Sequence, residues 1–294
     1  MYELIQAGEN TWYVDCPTKI GIWHAGENNV YLIDSGNDKD AGRKVRQILD
    51  KQGWKLKGIL NTHSHADHTG GNKYLQNNAG CKIFASPLEC CFIEHPVLEP
   101  SYLFGGYAPK DLRHKFLMAQ ESNPVPFTDS EFPKEIEIIP LPGHYFEQVG
   151  FRTPDNVIFI ADSLCSRNTL DKYAISVLYD VGASLATFDK LETLEAALFI
   201  PSHDAPAEDI KELVQYNRSK MLAVIDDIVA ICGTPKTAEV ILAEIFEKYS
   251  LTMTFEQYGL VGSTVRSYLA WMKDAGKLDC IIEENNLKWV AHHE

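Results

Sequence analysis

Four side chains that can bind metal ions lie within six residues of one another, in the segment THSHADH at positions 62–68. Imidazole nitrogens and carboxylate oxygens are ligands of zinc and of other borderline transition metals. Because side-chain direction repeats every two residues in an extended segment, we expect His63 and His65 to project toward one side. If the chain then turns into a helix, Asp67 and His68 face a second site beside the first. The segment therefore predicts a metal site.

Three further candidate ligands, His144, Asp162 and His203, each follow an apolar segment that is predicted to be a strand. These segments are 135–141, 157–161 and 197–201. A single histidine or aspartate after a strand is more often a turn or capping residue than a ligand. The same situation occurs three times here, and strand ends are rigid supports for ligands from distant parts of the chain. We therefore expect these side chains to share one site with the histidine-rich segment.

The elements that must position these residues alternate in type. Apolar segments at 29–36, 58–62 and 81–85 predict strands, and helices are predicted over 41–51 and from about Asp67 onward. Strands that alternate with helices are typical of layered α/β proteins. The fold class predicted from this pattern is therefore α/β.

The segment 87–129 lacks a regular pattern because six prolines interrupt it. We expect a long loop with short helices that crosses one edge of the domain. It is either a lid over a substrate or an insertion that only covers hydrophobic surface. The candidate substrate-contacting residues in this segment are His95, Tyr102, Tyr107, Arg113 and His114.

After residue 206 the sequence becomes mainly helical. Helices are predicted over 208–232, 237–248 and 263–275, with a break near 255–262 and a final hairpin of 276–282 and 287–290. Helix, helix and hairpin in this order indicate a winged-helix module. We therefore expect a catalytic domain over residues 1–206 and a small, mostly helical, winged-helix-like domain over residues 207–294.

The pattern HxHxDH, followed by three distal ligands, resembles that of the metallo-β-lactamase superfamily over roughly residues 1–206. The resemblance implies a four-layer αββα sandwich and two divalent metal ions, with zinc as the first choice and iron or manganese compatible with the ligands. It implies that the first ion is held by His63, His65 and His144, the second by Asp67, His68 and His203, and both by Asp162. Asp34 matches a family aspartate that supports the ligands from behind.

The same resemblance implies hydrolysis by a hydroxide that bridges the two ions, with Asp67 as the catalytic residue that orients it and takes up its proton. A small ester, thioester or lactone is the first choice of substrate, as in the glyoxalase II-like and lactonase-like branch of the superfamily. Two alternatives stay open. One is phosphodiesterase or ribonuclease activity, and the weaker one is a mononuclear iron persulfide dioxygenase.

The distribution of charge bears on these alternatives. The chain has a formal net charge of −14, and residues 207–294 contain nine basic and 14 acidic residues. A surface that binds phosphate backbones is normally basic. A nucleic-acid partner is therefore disfavoured, although the winged-helix pattern keeps it open.

The composition also bears on location and partners. The first residues lack a basic segment followed by an apolar core, and no apolar run approaches the roughly 20 residues of a membrane helix. The seven cysteines form no CxxC pair, which is typical of reduced thiols. We expect a cytoplasmic enzyme with a small-molecule substrate, no membrane partner, and a possible homodimer contact through its C-terminal helices.

Overall fold

A computed structural model describes residues 2–292, which form two mixed β-sheets with helices on their outer faces. The first sheet has seven strands in chain order: β1 (Glu3–Gln6), β2 (Thr11–Asp15), β3 (Ile20–His24), β4 (Asn29–Ile33), β5 (Lys55–Leu60), β6 (Lys82–Ala85) and β7 (Pro124–Pro126). Neighbouring strands are antiparallel from β1 to β4 and parallel from β4 to β7. The sequence predicts β4 to β6 but not β1 to β3 or β7.

The second sheet lies in the later part of the chain. Its strands are β8 (Glu137–Pro140), β9 (Val149–Arg152), β10 (Val157–Ala161) and β11 (Leu198–Pro201), in the order β11-β10-β9-β8. Strand β9 is antiparallel to β8 and β10, and β11 is parallel to β10. Strands β8, β10 and β11 agree with the prediction, and the loops after them carry His144, Asp162 and His203.

The two sheets pack face to face. Tyr13, Trp23 and Phe84 of the first sheet belong to the same buried cluster as Phe151 and Phe159 of the second. The next helices are α1 (Lys39–Gln52), the single-turn α2 (Ala66–Thr69) and α3 (Asn72–Ala79). Helices α1 and α3 bury apolar side chains against the outer face of the first sheet.

The limits of α1 follow from its local sequence. The side chain of Asp38 accepts a hydrogen bond from the Ala41 N–H (2.9 Å), which satisfies one of the free donors at the helix start. Gly53 ends the helix with a φ of 72°, a left-handed conformation that glycine adopts readily. Between them, Val45 and Leu49 are buried on the face that meets the sheet.

The segment between β6 and β8 contains short helices, as the sequence predicts. They are α4 (Pro87–Glu94), α5 (Leu98–Phe104) and one 3-10 turn (Lys110–Leu112). Helix α4 contacts β6 and β7 of the first sheet. We call residues 87–129 the insertion segment.

The remaining helices lie on the second sheet's side. They are α6 (Arg167–Tyr173), α7 (Val181–Thr193), α8 (Lys211–Ile231), α9 (Ala238–Lys248) and α10 (Phe255–Asp274), and the hairpin of β12 (Leu278–Glu283) and β13 (Asn286–Ala291) follows them. Helix α10 contacts α5 and the 3-10 turn of the insertion segment. Within residues 2–292, no helix has the length and apolarity needed to cross a lipid bilayer.

The predicted break near residues 255–262 is wrong, because α10 runs through it without interruption. The Thr254 side chain caps the helix by accepting a hydrogen bond from the Gln257 N–H (3.1 Å). A Cβ added at Gly259 or Gly262 would lie 3.4 Å from a side chain already packed there, Leu112 or Leu242 respectively. Close packing of neighbouring elements therefore outweighs the low helix propensity of glycine.

The outer face of the second sheet is covered by helices α7 to α10. Ile139, Ile158 and Ile160 of the sheet belong to one apolar cluster with Val214 of α8 and Leu269 of α10. This layer completes the four-layer αββα arrangement, so the predicted α/β fold with a helical C-terminal part is confirmed. The domain division after residue 206 stays a prediction, and residues 1, 293 and 294 lie outside the described part of the chain.

Candidate metal centre

The structure brings all seven predicted ligands together at one edge of the two sheets. His63 and His65 follow β5, Asp67 and His68 lie in α2, and the other three follow β8, β10 and β11. Their donor atoms form two groups, in each of which all atoms lie within 4.8 Å of one another. The groups are His63, His65 and His144, and Asp67, His68, Asp162 and His203.

In the first group, three imidazoles converge through one nitrogen each. The Nδ1 atom of His65 lies 3.0 Å from Nε2 of His63 and 3.1 Å from Nε2 of His144. Nitrogen ligands about 2.0–2.1 Å from a tetrahedral zinc ion are about 3.3 Å apart. The spacing of these nitrogens is therefore close to what a shared metal ion requires.

In the second group, two carboxylates meet two imidazoles. Nε2 of His203 lies 3.2 Å from Oδ2 of Asp67 and 3.2 Å from Oδ2 of Asp162, and Nε2 of His68 lies 3.3 Å from Oδ1 of Asp162. Asp162 also faces the first group, since its Oδ2 is 3.7 Å from Nε2 of His144. This carboxylate is placed to contact ions in both groups.

Two buried atoms test whether the residues suit a metal ion. Within the described part of the chain, Nε2 of His68 and Oδ1 of Asp162 are both buried and make no hydrogen bond. A buried polar atom without a partner costs stability, and such atoms in folded proteins call for an unseen water or ion. The donor set of the site therefore fits a bound metal ion.

Outer hydrogen bonds fix the orientation of three imidazoles. Nδ1–H of His68 donates to Oδ2 of Asp34 (2.8 Å), that of His144 donates to the Val177 carbonyl (2.8 Å), and that of His203 donates to the Pro17 carbonyl (3.0 Å). Each bond leaves Nε2 as the nitrogen that faces the site. Such outer partners set the tautomer of a metal-binding histidine and raise its basicity.

Asp34 is well placed to orient the imidazole of His68. It follows β4 with a φ of 61°, and its carboxylate also accepts hydrogen bonds from the N–H (2.8 Å) and the hydroxyl (2.7 Å) of Thr62. Thr62 directly precedes His63. One buried aspartate thus holds both the strand end before the histidine-rich segment and the ring of His68.

His65 is supported from the insertion segment. Its Nε2 lies 3.5 Å from Oε1 of Glu99 on α5, and the other oxygen of Glu99 accepts the hydroxyl of Tyr145. On α4, the carboxylate of the fully buried Glu89 accepts the N–H groups of Ser64 (2.9 Å) and Glu147 (2.9 Å). The sequence analysis missed both glutamates. The only local signal was an acidic residue within an apolar helix.

The pKa shifts differ among the five histidines: those of His63 and His144 are lowered, whereas those of His65, His68 and His203 are raised. Burial and the neighbouring histidines lower the pKa of His144 to about 4 and hold that of His63 well below its usual range, so both rings are neutral and able to bind a metal. The nearby Asp162 raises the pKa of His203 to about 10. Burial alone would raise the pKa of Asp67, but His68 and His203 outweigh it and lower that pKa. The anionic charge is therefore concentrated in the second group.

The predicted substrate-contacting residues are dispersed. The ring of Tyr102 lies 6.5 Å from that of Tyr145, which in turn packs 4.3 Å from His65. Arg113 stacks over Tyr107 at 4.9 Å, and His114 faces Glu256 of α10 at 3.6 Å. Of these residues, Tyr102 is the one that these contacts connect to the metal centre.

The layered fold and the clustered donors define a metal-binding α/β sandwich protein. The chain matches the metallo-beta-lactamase superfamily over residues 17–203, and it belongs to this family. It is 26% identical over 219 residues to the hydroxyacylglutathione hydrolase GloC of Haemophilus influenzae, which covers 72% of this chain and 82% of that protein. It is 39% identical to the hydroxyacylglutathione hydrolase of Methylococcus capsulatus, but only over 64 residues, a quarter (25%) of that protein's length.

Solved structures agree on the fold. The crystal structure of a beta-lactamase domain protein from Burkholderia ambifaria aligns with a TM-score of 0.76 and 15% identity, covering 98% of this chain and 93% of that one. A metallo-beta-lactamase family protein from Thermus thermophilus aligns with a TM-score of 0.75 and 18% identity, covering 96% and 99%. Both alignments include the C-terminal helices, so the fold of the whole described chain has precedent.

Proposed function

We propose that the protein is a dinuclear metallohydrolase that cleaves a small ester, thioester or lactone. The observation that carries the proposal is the position of Asp162, whose two oxygens face His68, His144 and His203 across both donor groups. The similarity to a hydroxyacylglutathione hydrolase over most of its length supports an acyl substrate. Zinc is the first choice of metal, and iron or manganese suits the same ligands.

The assignment of ligands follows the two groups. His63, His65 and His144 would hold one ion, Asp67, His68 and His203 would hold the other, and Asp162, which faces both groups, would be available to either ion. Two divalent ions held in this way would supply Lewis acidity and would lower the pKa of a bound water toward neutrality. The protein's part is to fix four of these side chains, those of His65, His68, His144 and His203, through Asp34, Glu99 and two backbone carbonyls.

Asp67 is the proposed acceptor of the proton that the nucleophilic water loses. Its Oδ2 already accepts the Thr18 hydroxyl (2.9 Å) and lies 3.2 Å from His203. These contacts fix the carboxylate and leave Oδ1 as the oxygen that accepts the proton. His68 and His203 lower the pKa of Asp67, so its carboxylate is ionised at neutral pH and can bind a metal ion or accept a hydrogen bond from the water.

Phosphodiester hydrolysis is the second candidate, favoured by one observation. Lys236, between α8 and α9, pairs as a β-bridge with Trp289 of the hairpin, so three helices and three extended segments follow the order of a winged helix. We propose that residues 207–294 form such a module. Its net acidic charge favours a packing role over nucleic-acid binding.

The experiment is metal analysis of the purified, untagged protein beside hydrolysis of a panel. The panel holds a glutathione thioester, an aryl ester, a lactone, bis-p-nitrophenyl phosphate and a short RNA. Close to two metals per chain with acyl-ester turnover supports the proposal, and cleavage of the phosphodiester or RNA promotes the second candidate. A single iron without hydrolysis rejects both and leads to oxygen-uptake assays with persulfides.

A matched pair of variants tests whether the cluster is responsible. Asp162→Asn removes the charge of the carboxylate between the two groups and is expected to lose both metal and turnover. Asp189→Asn alters an exposed carboxylate on α7, paired with Arg218, and should keep both. Equal metal content and rates in the two variants would contradict the proposal.

A further inference from the structure

A cavity of about 740 Å³ lies between α5, the start of α7 and α10. Its wall includes the aromatic rings of Tyr102, Tyr179 and Trp271, together with Ser263 and Arg266. Its size falls within the range of about 300–1,000 Å³ that is typical of small-molecule sites. The cavity is separate from the seven proposed ligands, none of which lines it.

The cavity is nevertheless built on the loop that carries a proposed ligand. The N–H of Tyr179 donates to the carbonyls of Gly143 (2.9 Å) and His144 (3.2 Å). The ring of Tyr179 stacks on Phe146 at 3.8 Å. Phe146 packs against Tyr145, whose ring lies 4.3 Å from that of His65. One layer of aromatic rings therefore joins the cavity wall to the metal centre.

Two side chains of the cavity lining, Arg266 and Trp271, have hydrogen-bond donors without a partner in the described part of the protein. Arg266 is exposed and Trp271 is partly buried, and across residues 2–292 no carboxylate lies within 4.0 Å of the guanidinium and neither group donates a hydrogen bond to the protein. A Cβ at Gly182 would lie 3.0 Å from Nε1 of Trp271, so the glycine makes room for the indole. An arginine without a partner presents a planar set of donors that matches a carboxylate.

The acidic residues of the wall do not cancel this arrangement. Asp180 caps α7, and its Oδ1 accepts the N–H of Ala183 (2.9 Å). Asp274 lies at the end of α10, two turns beyond Arg266, without an ion pair to it. The aromatic rings supply flat apolar surface between these charged ends. Among the described residues, the lining thus combines an unpaired cation with aromatic walls.

We propose that this cavity binds the part of the substrate that does not react, a flat apolar group bearing a carboxylate, with Arg266 as its anchor. That the bound group is part of a substrate rests on the proposed hydrolase function. The cavity's ability to bind an aromatic carboxylate does not depend on it. Tyr102 and Tyr179 hold the flat group next to the loop of His144, and the carboxylate pairs with the guanidinium.

Binding is tested by calorimetric titration of the metal-loaded protein with 2-naphthoate and with its uncharged analogue 2-naphthamide. Naphthoate is expected to bind more tightly than the amide, and Arg266→Gln should weaken naphthoate binding by about tenfold or more while leaving the amide unchanged. Ala270→Phe, which fills the cavity from α10, should weaken both. Arg43→Gln, an exposed change on α1, is the control and should alter neither.

A second measurement links the cavity to catalysis. With phenyl thioacetate as a neutral substrate, naphthoate should inhibit competitively, and Arg266→Gln should raise its inhibition constant about tenfold. Arg43→Gln is the control and should leave kcat, KM and the inhibition constant unchanged. Naphthoate that does not bind, or that binds Arg266→Gln as tightly as the unaltered protein, overturns the inference. If the protein hydrolyses nothing in the panel, the proposed function fails, and the titration still decides what the cavity binds.

Discussion

Oε1 of Glu99 lies 3.5 Å from Nε2 of His65, and the opposite nitrogen of the same ring faces His63 and His144. The carboxylate is nearly buried and comes from α5 of the insertion segment. This contact gives residues 87–129 a role beyond the two alternatives of a substrate lid and a surface cover. The segment does not merely cover surface, because it supplies the outer partner of a proposed metal ligand.

Glu99→Gln is therefore expected to weaken metal binding by about 10–100-fold, since outer partners of this kind orient the ligand and raise its basicity. Competition with a coloured chelator measures the affinity, and thermal unfolding of the metal-loaded protein checks the fold. Glu94→Gln, an exposed change on α4, is the control. Equal affinities in the two variants would remove Glu99 from the metal centre.

Asp34→Asn is expected to reduce metal occupancy while keeping the fold. Asparagine tolerates the left-handed backbone conformation of this position, so the turn after β4 should survive. The neutral amide supports the imidazole of His68 less well than the carboxylate does. Metal content after dialysis against a weak chelator is the measurement. Unchanged content would mean that Asp34 serves only the turn and Thr62.

Asp67→Ala should abolish turnover and lower the metal content from close to two toward one per chain. The reason is that Asp67 is both a proposed ligand of the second group and the proposed proton acceptor. The unfolding temperature of the apo-protein should stay close to that of the unaltered apo-protein. Near-normal activity in this variant would eliminate the dinuclear mechanism.

We expect the free energy of unfolding to depend on pH because of the buried Glu89. Burial raises its pKa from 4.5 to about 7, although the N–H groups of Ser64 and Glu147 oppose the shift. The folded state therefore holds a proton that the unfolded state has released between pH 4.5 and 7, and the contribution of Glu89 to stability decreases as the pH rises through this window. Above the window its ionised form costs up to about 3 kcal/mol.

The measurement is urea unfolding of the unaltered protein and of Glu89→Gln across this range. The variant loses one of two backbone hydrogen bonds, so it should be less stable at low pH. The difference between the two proteins should shrink as the pH rises, because only the unaltered protein carries the titrating carboxyl. A difference that is independent of pH would reject the raised pKa.

Removal of residues 207–294 should prevent the remaining chain from folding cooperatively. The outer face of the second sheet, with Ile158 and Ile160, would lose the apolar cover of α8 and α10. Loss of such buried contacts costs several kcal/mol per large side chain. Circular dichroism and urea unfolding of the fragment 1–206 provide the test. A soluble fragment with a sharp transition would instead support two independent domains.

The donors of the metal centre could be predicted from the sequence because four of them are local and the other three follow recognisable apolar strands. Glu89 and Glu99 could not, since their role depends on contacts with Ser64, Tyr145 and His65 that the chain makes only after folding. Strands β1 to β3 and β7 are not predicted, because none of them leads into a candidate ligand, and β7 is a three-residue strand with a proline at each end. The helix break predicted near Gly259 and Gly262 follows from the low helix propensity of glycine. Packing of α10 against its neighbours outweighs that propensity.

The shared core of the second sheet and the C-terminal helices has a consequence for biosynthesis. The strands that carry His144, Asp162 and His203 leave the ribosome well before α10 does. Until α10 has emerged, the outer face of their sheet lacks part of its cover, and exposed apolar surface of this kind promotes aggregation. We therefore expect the candidate metal centre to reach its supported geometry only once α10 has packed against the other helices.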